Sequence, residues 1–223
     1  MSLATSWRCP VCDLLLSRGR PCPNYWCGRH DRGFEVVWSI GEHSGQLRRA
    51  IAGLKYRGEQ RWAPLLGRLL ANYLLDQAPC FDDIDLIVGT PGNIGPARPV
   101  DHVTQVLAAA RLQVGGLWAI DVGAPGVPPL LAKRAETRPM ASTPSAAARR
   151  LWAAGELRAA LVVTDPTRVT GRRVLAVDDV FTDGSTLREV AIALRSAGAT
   201  AVSGLAIARA PLAAVGLQDT APR

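Results

Sequence analysis

The sequence has no run of about 18 uncharged apolar residues, the length a helix needs to cross a bilayer, so no membrane span is expected. Its most apolar late stretch, residues 191–210, is broken by Arg195 and Arg209. The first residues, MSLATSWRCPVC, lack the continuous apolar core of a secretory signal. That sets export aside and makes a reducing cytoplasm the expected compartment. There is no internal repeat, so the chain is not read as an array of units. Lysine is nearly missing: only Lys55 and Lys133 interrupt a positive charge that is otherwise all arginine. A net charge of +7 and a pI of about 9.7 permit binding of nucleic acid or of a phosphorylated metabolite, and arginine forks suit phosphate. The same composition also fits an arginine-rich solvated surface.

What is present is enough for a core. The 223 residues, 48% of them hydrophobic, suit one α/β domain plus a small appendage, or two small domains. The composition changes near residue 33: four of the five cysteines lie before it, among prolines and short polar turns. Beyond it the pattern predicts strands at 34–40, 85–89, 117–122, 129–132, 161–164, 174–177 and 201–208. Helices are predicted from a Ser44 cap through Leu54, and at 60–76, 100–112, 145–154 and 185–197, the last closed by Gly198. Strands alternating with helices imply a mostly parallel sheet. Residues 123–128 and 133–143 read as irregular, mobile segments.

At residues 174–187, VLAVDDVFTDGSTL, an apolar run ends in Asp178 and Asp179, a small-residue turn follows, and a helical pattern begins. VLAV is apolar on both faces, as a central parallel strand is. Ligands of open parallel sheets sit beyond the carboxyl ends of the strands. Gly184 allows close backbone approach, Thr182, Ser185 and Thr186 supply hydroxyls, and the amides that open a helix favour an anion. Two acids beside an anion would repel it unless they hold hydroxyls or a cation. A sugar phosphate with a vicinal diol meets both conditions: the phosphate sits in the turn, and the carboxylates hold the diol directly or through Mg²⁺. The plainer alternative is a strand–turn–helix whose aspartates merely cap.

This stretch resembles the phosphoribosyl-pyrophosphate (PRPP) motif of type I phosphoribosyltransferases. The resemblance implies an α/β fold of that type over residues 34–223, a mostly parallel sheet flanked by helices. It makes Asp178 and Asp179 the catalytic acidic pair and Thr182, Asp183, Gly184, Ser185 and Thr186 the 5′-phosphate loop. A second segment, LRRAIAGLKYRG at residues 47–58, resembles ComF-type competence proteins, as does the layout of cysteine cluster, helix, loop, arginine/threonine-rich segment and PRPP motif. By that resemblance Thr90 and Gly92, in the TPGN loop, contact pyrophosphate through backbone amides. Residues 133–143, KRAETRPMAST, would close over PRPP, with Arg134 or Arg138 neutralising the departing pyrophosphate and Met140 standing where the family has Gln. The implied function is PRPP and Mg²⁺ binding, with transfer of the phosphoribosyl group to a nitrogen acceptor. The alternative is a non-catalytic protein of single-stranded DNA uptake, with a helicase-like ATPase as partner and PRPP as effector. A PRPP-sensing regulator is a third reading.

Cys9, Cys12, Cys22 and Cys27 form a C-x2-C-x9-C-x4-C arrangement. In a reducing compartment this predicts a structural zinc in a module spanning residues 1–33, since so short a segment cannot build its own core. His30 could replace Cys27 as the fourth ligand. ComF-type proteins carry such a module. Trp7 and Trp26 lie among Arg8, Arg18, Arg20, Arg29 and Arg32, a pattern that either stacks single-stranded nucleic acid or covers the knuckle. Cys80 reads as a buried small hydrophobe. His102 reads as a general base, or as a helix-start residue that caps or faces solvent. Arg48, Arg49, Lys55, Arg57 and Arg61 form a basic strip that either meets single-stranded DNA or is simply solvated.

Overall fold

The computed structural model describes residues 7–17, 19–93, 101–138 and 145–212. Arg18, Met140 and the rest of residues 139–143 lie outside that set. Four strands form a parallel sheet: β3 (Val37–Glu42), β4 (Leu86–Gly89), β7 (Arg173–Phe181) and β8 (Ala201–Arg209). The order across it is β3-β8-β7-β4, which puts β7 and β8 in the middle. The two-residue period of β7 divides the core. Leu175 and Val177 pack with residues of α1 (Gly45–Arg57), α2 (Trp62–Asp76) and α3 (His102–Val114). Val174 and Ala176 pack instead with Leu187, Val190 and Leu194 of α6 (Ser185–Ser196). Each face is thus covered by helices, as a parallel sheet requires.

Several expectations are corrected. The strand expected at 117–122 reduces to one bridge between Ile87 and Ile120. The Asp121 carboxylate turns back to accept from the Leu130 amide at 2.7 Å, and Pro125, Pro128 and Pro129 offer no amides to continue a ladder. Residues 123–128 are a tight turn closed by reciprocal bonds between Ala124 and Val127. β5 (Leu131–Lys133) pairs antiparallel with β6 (Leu161–Val163) outside the main sheet. The helix from Ser145 is longer than expected: α4 (Ala146–Trp152) runs through a π turn at Ala153–Leu157 into α5 (Arg158–Ala160). Ser44 stands at the start of α1 but its side chain makes no capping bond. Cys80 is exposed at the end of a short 3-10 turn, so it is not a core residue.

The cysteine segment opens with a short hairpin, β1 (Trp7–Arg8) and β2 (Leu15–Leu16). Its knuckle docks on the outer edge of β3. The Val37 amide donates to the Val11 carbonyl at 2.9 Å, and the Ser39 amide donates to the Asp13 carboxylate at 3.1 Å. This covers a sheet edge that would otherwise offer unpaired groups. Trp26 is buried with Cys9, Cys12, Phe34 and Phe181, and the Arg188 guanidinium stacks on it at 4.6 Å. Trp7 stays 57% exposed, so the covering role falls to Trp26.

Candidate functional site

At the carboxyl edge of the sheet, β4 lies beside β7 with Gly89 opposite Val177. The next residue, Thr90, donates its amide to the Val177 carbonyl and its hydroxyl to Asp178 Oδ1 at 2.7 Å. Asp178 Oδ1 also accepts from the Asp179 amide. Asp179 is nearly fully buried, and its Oδ2 receives Lys55 Nζ at 2.7 Å and His102 Nε2 at 2.9 Å. The other ring nitrogen of His102 faces Asp101 at 3.2 Å. Asp101 itself caps α3, accepting from the Val103 and Thr104 amides. Lys133 reaches Asn93 Oδ1 at 3.1 Å and the Thr137 hydroxyl at 2.9 Å, which docks the segment after β5 onto the 90–93 loop. Both lysines of the chain therefore converge on this edge.

The electrostatics follow from these partners. Burial pushes Asp178 up to about 6, helped by the charge of Asp179. Burial works the same way on Asp179, but Lys55 and His102 outweigh it and hold that carboxyl well below the usual carboxylate range. Burial opposes the charge on His102, yet the bonds to Asp101 and Asp179 raise it to about 9, so the ring is cationic at neutral pH. Lys55 is raised by Asp179 against its own burial. Lys133 is lowered by burial, although Asp101 and Asp178 pull the other way.

Three expectations change here. His102 is buried and is neither cap nor solvent-facing; the cap is Asp101. The basic strip is broken: Lys55 turns inward to Asp179, and Arg57 and Arg61 share Glu59. Arg48 and Arg49 remain exposed. The TPGN loop also differs from expectation, because its Thr90 and Gly92 amides are already committed. The Gly92 amide donates to Asp101 Oδ1 at 3.0 Å, and a side chain at Gly92 would put its Cβ 2.2 Å from that oxygen. Arg134 is exposed and turns its guanidinium toward the Leu161 carbonyl at 3.5 Å.

The turn after β7 is built differently. Gly184 has φ +91°, and a Cβ there would lie 2.9 Å from Phe181 Cζ, so glycine is required twice over. Asp183 Oδ1 accepts from the Ser185 amide at 3.0 Å, and Arg149 of α4 lies 3.6 Å from Asp183 Oδ2. The Ser185 hydroxyl, on the first residue of α6, is buried with no hydrogen-bond partner among the described residues, and so are Asp183 Oδ2 and Trp26 Nε1. Arg209, from the end of β8, is buried behind the turn. Its guanidinium packs 4.7 Å from the centre of the Phe181 ring and donates to the Phe181, Thr182 and Ala210 carbonyls.

Arg209 also reaches the cysteine cluster, with Nη2 3.7 Å from Cys12 Sγ. The sulfurs of Cys9, Cys12, Cys22 and Cys27 all lie within 4.8 Å of one another, with three of the separations at 3.6–3.7 Å. A disulfide needs about 2.05 Å. Zinc–sulfur bonds of about 2.3 Å put the corners of a tetrahedron roughly 3.8 Å apart, so the spacing suits one metal ion held by four thiolates. The fourth member is Cys27, and His30 is not needed. Cys12 is drawn down to about 5, first by its bond with the Cys27 thiol and also by the Arg209 charge.

The structure thus brings Asp178, Asp179 and Thr90 together, with Gly92 one residue beyond the Thr90–Pro91 step. It gathers all four cysteines. Lys55, Lys133, Arg149 and Arg209 were not singled out for this edge from sequence. For the lysines a signal existed: they are the two exceptions in an arginine-rich chain. No protein-family model matches the chain, and no curated protein matches it either.

Proposed function

We propose that the chain binds PRPP at the carboxyl edge of its sheet, with a fold of the type I phosphoribosyltransferase kind as the ComF-type resemblance implies. The observation that carries this reading is the placement of two acids near the end of a central parallel strand, which pairs on through Phe181, two residues before a glycine turn that opens a helix, with Thr90, just past the neighbouring strand, bonded to the first acid. The turn suits a 5′-phosphate and the acids suit the ribose diol. Their hard oxygens also suit Mg²⁺, which would spread the charge of pyrophosphate. Asp178 is the better candidate to hold it, since Asp179 is already paired with Lys55 and His102. In a transfer reaction the bond from C1′ to pyrophosphate oxygen breaks with its electron pair leaving on pyrophosphate. A nitrogen acceptor bonds to C1′ and loses its proton to pyrophosphate or water. His102, cationic at neutral pH, would hold Asp179 in place rather than take that proton. At the four cysteines we assign a structural zinc, with no open position for catalysis.

Calorimetry with PRPP and Mg²⁺ tests the reading. Wild type should bind, and Asp178→Asn should lower the affinity about tenfold or more while the fold stays intact, one charge-assisted contact being of that scale. Release of pyrophosphate with a panel of nitrogen bases then separates a transferase from a sensor. No binding by wild type would end the reading.

One observation favours the second reading, single-stranded DNA handling in the cytoplasm with a helicase-like ATPase. Tyr25, 46% exposed, has the guanidinium groups of Arg29 and Arg150 at 5.2 Å and 4.2 Å from its ring centre, an exposed aromatic beside two cations, the combination that suits a single strand. Salt-sensitive binding to single-stranded DNA is what distinguishes this reading from a purely metabolic one.

A further inference from the structure

The start of α6 already has an anion in place, and that anion belongs to the chain. Asp183 is 4% exposed, and its Oδ1 takes the Ser185 amide at 3.0 Å, the bond an arriving phosphate oxygen would otherwise make. Its Oδ2 makes no hydrogen bond and lies 3.6 Å from Arg149, which is carried by a different element. Beside it the Ser185 hydroxyl is 1% exposed and has no hydrogen-bond partner among the described residues. A buried hydroxyl without a partner is costly and uncommon, and it points to a ligand whose oxygen completes it.

We propose that Asp183 and Arg149 form a latch over the phosphate turn. Asp183 stands in for the ligand at the Ser185 amide, and Arg149 passes from Asp183 to the phosphate of an arriving sugar phosphate. This rests on reading residues 182–186 as a phosphate loop. The physical logic is one of exchange. A dianionic phosphate set beside Asp183 is repelled by it, while Arg149, with its fixed fork, is a better partner for phosphate than for a carboxylate approached by one nitrogen. Opening the latch uncovers the Ser185 hydroxyl for the same phosphate. The loop would therefore discriminate against weak anions, which cannot displace Asp183, and in favour of ligands held elsewhere as well, by the acids at Asp178 and Asp179. Asp183 thus sets specificity and Arg149 binds.

Calorimetry on the full chain tests this, with PRPP and Mg²⁺, ribose 5-phosphate and inorganic phosphate as probes. Asp183→Asn keeps a capping oxygen but removes the charge, so it should bind all three probes about tenfold more tightly, with the largest gain for inorganic phosphate. Arg149→Gln should weaken PRPP by about threefold in wild type and by about tenfold or more in the Asp183→Asn background, where the arginine no longer leaves a partner to meet the phosphate. Melting curves establish that each variant is folded. If PRPP binds wild type and Asp178→Asn abolishes it, but neither Asp183→Asn nor Arg149→Gln changes affinity, the latch is wrong and the PRPP site stands. If both single variants weaken PRPP alike, Asp183 is a structural cap and the latch is equally wrong. If PRPP binds neither wild type nor Asp183→Asn, the phosphate-loop reading fails and the latch goes with it.

Discussion

Two residues separate the acid pair at 178–179 from the turn at 182–186, and the two sites treat buried polar groups in opposite ways. At the strand end Asp179 has a lysine and a histidine, His102 has two acids, and Asp178 has the Thr90 hydroxyl. At the turn the Ser185 hydroxyl, and beside it Trp26 Nε1, are buried without a hydrogen-bond partner among the described residues, and Asp183 has one oxygen hydrogen-bonded and one that meets only Arg149 at 3.6 Å. A buried charge is tolerated only when paired, and a paired one is strongly destabilising to break. An unpartnered hydroxyl instead costs the folded state something that a ligand can return. The strand end is thus rigid and ready-made, whereas the turn is incomplete. Their supports differ too. Lys55 and His102 come from α1 and α3, while the turn rests on Arg209 and, through it, on the cysteine cluster.

The largest expected effect tests that division of supports. Removing metal from the four cysteines withdraws binding free energy of about 10 kcal/mol, the scale of a structural zinc in a short module, and leaves several thiolates to repel or reprotonate. About one zinc per chain should be released, and stability should fall by several kcal/mol. Hydrogen exchange should show protection lost at residues 7–33 and 181–184, where Arg209 no longer has its sulfur partner, and kept at 86–89 and 174–178. Equal loosening at both places would mean that the two halves share one support. A preparation that is metal-free and fully folded would refute the zinc assignment itself.

How far this was legible from sequence differs between the halves for the same reason. VLAVDD, the glycine turn and the helix after it are local signals: an apolar run, a residue tolerant of positive φ, and small polar residues at a helix start. So is the C-x2-C knuckle. The pairing of His102 with Asp179 spans 77 residues and depends on how α3 crosses the sheet edge, which no local pattern encodes. Lys55 read as one more charge on a basic helix because its neighbours at 48, 49 and 57 are exposed arginines. The amides of Thr90 and Gly92 read as open to an anion, but tertiary partners at Val177 and Asp101 take them. Strand 117–122 failed for a different reason, since apolar residues beside a short edge strand can bridge once and then turn at a proline cluster.

A second test sets a pH dependence on the strand end. His102 is raised to about 9 in the folded chain, above the usual histidine value of about 6.5. Its contribution is complete below pH 6.5 and is lost as the pH rises through about 9. Unfolding free energy should therefore fall across that window, by up to about 3 kcal/mol, since each tenfold change in proton affinity is worth about 1.36 kcal/mol. His102→Gln should flatten this part of the profile in urea titrations at a series of pH values. An unchanged slope in the variant would place the titrating group elsewhere and leave Asp179 held by Lys55 alone.

The smallest effect is the most discriminating, because its sign differs from that of an ordinary buried substitution. Ser185→Ala removes a hydroxyl that has no hydrogen-bond partner among the described residues, at a position 1% exposed. Replacing a bonded buried hydroxyl costs about 1 kcal/mol, but deleting an unpartnered one removes a desolvation cost, so stability should hold or rise by up to about 1 kcal/mol. The helix start retains the Asp183 bond to the Ser185 amide, which alanine preserves. PRPP affinity should nonetheless drop about threefold to tenfold, the worth of one hydroxyl donated to a phosphate. A variant that loses stability would show that the hydroxyl has a partner within the fold. One that is more stable and binds PRPP as well as wild type would show that the hydroxyl serves no ligand. Stability and affinity moving in opposite directions is the outcome that an incomplete turn requires and a finished one forbids.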